Sequence, residues 1–444
     1  MSRYEKYPAY RDFGVEWIGE IPGHWEVKQT RHIFKIYSGS TPKSGEALFW
    51  DGDITWFTPD DLGNNQQKNI SESRRKITEE GYKSCGTSLA KTNSIVFSTR
   101  APIGHIALST VSACCNQGCR ILEPENGNTD YWYYTLVSAK PILQSLGQGS
   151  TFMELPRQSL ASFNLPFPPL EEQQAIASFL DRKTAQIDEL ITKKEELLKK
   201  LDEKRTALIT RAVTKGLDPS APMKESGVEW LGEIPKHWVI WKVTHGFNTI
   251  GSGTTPKSDN SDFYDGNIPW VTTSELRETV IENTSQKISI DAFQSYSALK
   301  IYPTGSIVIA MYGATIGRLG ILGVDATVNQ ACCVFAQPTT FEPRFFYYWL
   351  LMRKPILISL STGGGQPNLS LEDLKNIRIP TPPLEEQQAI AEHIEKKTAT
   401  IDRQKAQVTE AIERLKEYRT ALITDAVTGK MDVQLHEKTE SLSA

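Results

Sequence analysis

The ten residues Pro168–Ala177 read PPLEEQQAIA, and Pro382–Ala391 read PPLEEQQAIA again, 214 positions later. Each copy opens a long, charged stretch with a helical period, and each follows a mixed, strand-like region. Paired prolines followed by Glu171-Glu172 suit a helix N-terminus, because proline fixes φ and acidic side chains complement the helix dipole. Core positions taken alternately four and three residues apart from Ile176 give Leu180, Lys183, Ile187, Leu190, Lys194, Leu197, Leu201, Lys204 and Leu208. The same register 214 residues on gives Ile390, Ile394, Lys397, Ile401, Gln404, Val408, Ala411, Leu415, Tyr418 and Leu422. Most of these are apolar, which predicts a coiled-coil seam on each helix. The simplest partner for each seam is the other, and a repeat related by a pseudo-two-fold axis makes the pair antiparallel.

Working outward, the chain divides into a first mixed domain over 1–167, a helix over 168–215, a second domain over 216–381, a second helix over 382–430 and a tail over 431–444. The predicted class is α+β: two repeated mixed α/β domains separated by two long helices packed as an antiparallel coiled coil. With 444 residues, 39% of them hydrophobic, two or more cores can be filled. No stretch reaches the roughly 20 apolar residues of a membrane span, and the N-terminus lacks a signal-peptide core, so a cytoplasmic location is expected. The six cysteines lie in or beside strand-like runs, without histidines at metal-ligand spacing, and read as buried free thiols rather than a metal site. A net charge of −4 excludes an overall basic signal, so any nucleic-acid contact must come from local patches.

Other segments repeat in the same order. GVEWIGEIPGHW (Gly14–Trp25) recurs as GVEWLGEIPKHW (Gly227–Trp238), a rigid turn whose aromatics belong to a core. His24 and His237 recur with it, and no acidic or cysteine partner recurs at catalytic spacing, so they read as structural. YSGSTPKS (Tyr37–Ser44) matches GSGTTPKS (Gly251–Ser258). The second resembles a phosphate-binding P-loop, but Pro256 stands where the second glycine is needed and offers no N–H, so a nucleotide site is rejected. A Gly/Ser/Thr loop with Lys43 or Lys257 can still hold a DNA phosphate; a solvated loop is the alternative.

Phe49–Leu62 aligns with Phe263–Leu276, bringing Thr58 into register with Thr272 and its neighbours Thr273 and Ser274. Beyond it the halves diverge: Lys68, Arg74, Arg75, Lys76 and Lys83 in the first, Arg277 and Lys287 in the second. Two hairpins follow, Ser94–Leu108 and Ser306–Leu322, with Arg100 and Tyr312 expected at exposed turns and Arg318 on the second. Asn116-Gln117 recurs as Asn329-Gln330, either as buried amides serving the backbone or, through Gln117 and Gln330, as base contacts. Aromatic helical runs read as core, and loops rich in Gly, Gln, Ser and Thr, GQGSTFMEL and TGGGQPNLS, close each domain and permit close backbone approach to a ligand.

The duplicated order of GVEWIGEIPGHW, the STPKS and TTPKS loops, DGDITW and DGNIPW, and both PPLEEQQAIA starts resembles the specificity subunit of type I restriction–modification systems, over nearly the whole chain. The resemblance implies two target-recognition domains, each reading one half of a split, asymmetric double-stranded DNA target. The helices would space the domains and dock two modification (methyltransferase) subunits, and restriction (translocase/endonuclease) subunits can join that complex. It also implies no catalysis and no cofactor in this chain, with S-adenosylmethionine in the modification subunit; the sequence carries no methyltransferase motif, cofactor loop or nuclease-like cluster. The alternatives are an enzyme in its own right, and a DNA-binding or coiled-coil adaptor acting outside restriction–modification. The residues placed toward DNA are Lys43, Thr58, Lys68, Arg74, Arg75, Lys76, Arg100, Gln117, Lys257, Thr272, Thr273, Ser274, Lys287, Tyr312, Arg318 and Gln330.

Overall fold

The computed structural model describes residues 5–149, 153–359 and 368–435. The loops that close each domain therefore fall partly outside the described residues, at 150–152 and 362–367. The chain forms two compact units: 1–194 with 410–444, and 195–409. Each contains one strand-rich domain, the N-terminal part of the long helix that follows it and the C-terminal part of the other long helix.

In the first unit a five-stranded sheet runs in the order Phe34–Ser38, Cys119–Pro124, Ser94–Ser98, Ile106–Ser109, Asn69–Ile70, with the last pair parallel and the others antiparallel. A three-stranded sheet in the same unit joins Ala113–Cys115, Trp50–Phe57 and Lys76–Ile77. The second unit repeats both sheets strand for strand, from Phe247–Ser252 to Val280–Ile281 and around the central strand Ile268–Val271. Ser94–Ser98 pairs antiparallel with Ile106–Ser109, placing Phe97 opposite Ile106, and this is the first expected hairpin. Ile307–Ala310 pairs with Leu319–Leu322 in the second. Alternation separates adjacent cysteines onto different cores: Cys114 from Cys115, and Cys332 from Cys333. All six are free, and only Cys85 is less than fully buried. Burial pushes the Cys114 and Cys332 thiols up to about 12.

The aromatic helices Thr129–Ser145 and Pro343–Ser359 are core elements, burying Tyr131, Trp132 and Tyr134 in one and Phe345, Phe346 and Trp349 in the other. The first long helix spans Leu170–Lys215 and the second Leu384–Val427. Within the first unit they run antiparallel, with Arg419 Nε 2.9 Å and Nη2 3.2 Å from the two Asp188 carboxylate oxygens. The second unit repeats this pair 214 residues away as Arg205 and Asp402, at 3.6 Å, and adds Lys405 to Asp202.

This pairing corrects the expected seam. Ile176, Leu180, Ile187 and Leu201 are buried, as are Ile390, Ile394, Ile401 and Leu422, while Leu208, Val408 and Leu415 are half-buried. Leu190, Leu197 and Tyr418, however, are 47%, 42% and 48% exposed. The inward positions there are instead Thr184, Ile191, Leu198 and Arg205 on one helix and Thr398, Lys405, Ile412 and Arg419 on the other. The four-three alternation is inverted from Thr184 and Thr398 onward, so every second expected position gives way to the residue after it. The apolar neighbours Leu190-Ile191 and Leu197-Leu198 make the two registers equal in hydrophobicity. The long basic side chains choose between them, laying their stems along the seam and their charges against the opposite helix's aspartates.

The joint at each helix start has a full set of partners. Glu172 accepts from Tyr7 Oη at 3.0 Å and Trp25 Nε1 at 2.9 Å and lies 2.6 Å from His24 Nε2. Glu386 accepts from Trp238 Nε1 at 3.1 Å and lies 2.8 Å from His237 Nε2. The acidic partner that the histidines lack locally is therefore supplied by the PPLEEQQAIA repeat. The buried Gln173 donates to Pro168 O at 2.8 Å and accepts from Asn128 N at 2.8 Å, while Gln387 donates to Pro382 O at 2.9 Å and accepts from Glu342 N at 2.9 Å. Glutamate and glutamine are identical in both copies because each ties the helix start to its own domain.

Candidate nucleic-acid interface

In the first unit the strand Phe34–Ser38 runs into the STPKS loop. Gly39 lies so close to the Asn116 turn that an added Cβ would meet Asn116 O at 2.0 Å, so only glycine fits. Ser40 N donates to Cys115 O at 3.0 Å, and Trp56 Nε1 donates to Ser40 O at 2.9 Å. Thr41 Oγ1 donates to the side-chain oxygen of Gln117. The second unit builds the same cluster: an added Cβ on Gly253 would meet Val328 O at 1.7 Å, Trp270 Nε1 donates to Thr254 O at 3.2 Å, and Thr255 Oγ1 donates to Gln330 Oε1.

Gln117 and Gln330 are exposed, not buried. The asparagine beside each does the backbone work: Asn116 Oδ1 accepts from Gly118 N at 2.9 Å, and Asn329 Oδ1 from Ala331 N at 3.1 Å. Because a threonine holds each glutamine oxygen, the amide N–H group is left facing outward as a donor. Thr58 stands next to this turn, since Asn116 N donates to Phe57 O at 2.9 Å, and Asn329 N donates to Val271 O likewise beside Thr272. Thr58 forms a capping box with Asp61, while Thr272 Oγ1 lies 2.7 Å from Ser274 Oγ. Lys43 and Lys257 are exposed on the same loops. Each unit thus gathers one lysine, two or more hydroxyls and one amide donor on a rigid backbone platform, the donor set that hydrogen-bonds phosphates and acceptor atoms on base edges.

A model of the type I restriction modification DNA specificity domain matches this chain twice, at 22–200 and 235–414. The chain belongs to that family. Among curated members, the MjaIX specificity subunit of a type I restriction enzyme from Methanocaldococcus jannaschii is 30% identical over 431 residues, covering 94% of this chain and 96% of the relative. Among solved structures, a chain from a type I restriction–modification system described for its complex assembly and conformational transition superposes with a TM-score of 0.71 at 16% identity, over 92% of this chain and 98% of the other. The HsdS subunit from Thermoanaerobacter tengcongensis gives 0.57 at 18% identity, over 93% and 98%. These two show the shared fold.

In this member of the family the remaining residues expected toward DNA are distributed unevenly. Lys76 and Lys287 turn out to be structural equivalents: each precedes a fully buried isoleucine, Ile77 or Ile288, on the strand flanking the central one. An insertion changes the offset there, which hid the match in the sequence. Arg74 is exposed, its backbone N–H held by Asp61 at 2.7 Å, and Arg75 is exposed and stacks 3.6 Å from the Trp50 ring centroid. Arg318 is exposed on the second hairpin, whereas Thr273 is half-buried in a short turn.

Three expected contacts are directed inward. Lys68 pairs with Asp130 at 2.7 Å and with Asp181, 4.9 Å from the Tyr134 ring, so its charge fastens the domain to the helix. Arg100 is half-buried and lies 3.5 Å from Glu154, rather than standing free at a turn. Tyr312 is also half-buried and bridges Asn368 through its backbone. Sequence reasoning passed over Thr41, Thr255, Trp56 and Trp270, although their recurrence in both halves was the available signal. Among the described residues there is no group of three or more His, Cys, Asp or Glu side chains placed to hold a metal, and no helix is long and apolar enough to cross a membrane.

Proposed function

We propose that this chain is the DNA-reading, non-catalytic subunit of a type I restriction–modification complex, in which each unit engages one half of a bipartite target. The observation that carries the reading is the Lys–Thr–Gln platform built twice from equivalent residues. What the two half-sites have in common is the sugar–phosphate backbone, and a repeated donor set suits it. Residues that differ between units, the exposed Arg74 and Arg75 in one and the exposed Arg318 in the other, then select bases. The division follows the general rule that phosphate contacts position a protein and base contacts specify sequence.

Two modification subunits, carrying S-adenosylmethionine and the transfer chemistry, would complete a methyltransferase, and restriction subunits would add cleavage. The long helices would set the gap between half-sites: 46 residues in the first amount to about 69 Å at roughly 1.5 Å per residue. A gel-shift titration of the chain together with its modification subunit, across a salt series, tests the reading. Specific duplex binding that weakens steeply with salt is expected, because neutralised phosphates release counterions. Binding that ignores salt, or methyl transfer by the chain alone, would overturn it.

A further inference from the structure

The second unit contains a pocket of about 280 Å³ lined in part by Trp230, Arg353, Leu357, Leu369, Leu374 and Arg378, none of which belongs to the Lys–Thr–Gln platform. Arg353 projects from the helix Pro343–Ser359 and is only 6% exposed. Its guanidinium carbon sits 3.4 Å from the Trp230 ring centroid, so one face of the group is stacked on an indole. Its Nη1 is buried and makes no hydrogen bond among the described residues. Burial pulls this guanidinium down to about 10. Asp373 also lines the pocket, but Oδ2 of its carboxylate is committed to the helix cap formed with Ser370, accepting from N at 3.1 Å and Oγ at 2.6 Å.

The repeat shows that the fold does not require this arginine. Ala139 occupies the corresponding position in the first half, and Phe163 occupies that of Ile377. There Trp17, the counterpart of Trp230, is stacked by Phe163 at 5.4 Å and 17°, and its Nε1 donates to Asn164 O at 3.1 Å. One unit fills the place with a hydrocarbon ring; the other buries a cation beside a cavity, with a donor that no described residue satisfies.

We propose that this pocket binds a small monocarboxylate with a short apolar tail, its carboxylate against the Arg353 guanidinium and its tail against Leu357, Leu369 and Leu374. A guanidinium stacked on one face presents its in-plane N–H groups along its edge, which matches a planar carboxylate. Arg353 and Arg378 outnumber Asp373, the carboxylate in the pocket lining, which leaves one positive charge for one anion, and aliphatic walls favour an organic anion over a strongly hydrated inorganic one. The exposed Arg378 adds long-range attraction without a committed side-chain partner among the described residues.

The test is calorimetric titration of the full-length chain with sodium butyrate and, separately, inorganic phosphate, at constant ionic strength set with chloride. One saturable butyrate site is expected, with phosphate weaker. Arg353→Met should weaken butyrate by about tenfold or more, the loss of a hydrogen bond to a charged group. Should that variant fail to fold, Arg378→Glu, at the exposed first residue of an otherwise buried strand, carries the test: it puts a negative charge beside the pocket and should also weaken butyrate. Absence of a saturable site, phosphate binding as tightly as butyrate, or folded variants that bind butyrate as the parent does would each overturn the proposal.

Discussion

Trp25 donates its indole N–H to Glu172 at 2.9 Å, and 214 residues beyond Glu172, Glu386 receives the indole N–H of Trp238 at 3.1 Å. The two carboxylates are not equally loaded. Glu172 also accepts from Tyr7, and its side chain is 13% exposed against 29% for Glu386. Glu172→Ala leaves the buried Trp25 and Tyr7 donors unpaired, each at a cost of about 1–3 kcal/mol. Urea unfolding should therefore show a larger loss for Glu172→Ala than for Glu386→Ala, with the difference on the order of 1 kcal/mol or more. Equal losses would show that the tyrosine contributes nothing to the joint.

The thiols offer a check on the cores. Cys114, Cys115, Cys119, Cys332 and Cys333 are buried, and desolvation raises all five well above the ordinary thiol range. Thiolate is the reactive form, so native protein at pH 8 should be alkylated by iodoacetamide at Cys85 first, with the other five reacting only after denaturation. Peptide mapping by mass spectrometry reads this directly; early labelling at Cys115 or Cys333 would contradict the packing.

The helix pair predicts a spacing effect. Inserting four residues between Thr192 and Leu201, with the matching insertion in the second helix, adds about one turn, or about 6 Å, to each. The permitted gap between half-sites should lengthen while the half-site sequences stay the same. Half-sites that change under an unaltered gap, read by methylation mapping, would remove the helices from the role of spacer.

Much of the fold was legible because duplication turns single weak motifs into an ordered series, and because alternation and helical period mark strands and helices independently of detail. The helix starts, the hairpins and the buried cysteines followed from that. The seam did not, since Leu190-Ile191 and Leu197-Leu198 offer the same hydrophobicity in either phase, and the deciding contacts of Arg205 and Arg419 are made to residues distant in sequence. The interface was legible only as a set of polar candidates. Lys68 and Arg100 find Asp181 and Glu154 across long separations, which no local pattern announces, and the Thr41–Gln117 bond that makes the platform joins residues on two loops far apart in the chain.

The central claim is that each unit reads its own half-site through the residues that differ between units. Sequencing of methylated adenines in a host expressing the chain with its modification subunit tests it most directly, using Arg74→Ala with Arg75→Ala in one variant and Arg318→Ala in another. The account predicts relaxed sequence preference at one half-site in the first variant and at the opposite half-site in the second, with the gap unchanged in both. Equal loss of discrimination at both half-sites in either variant would contradict it.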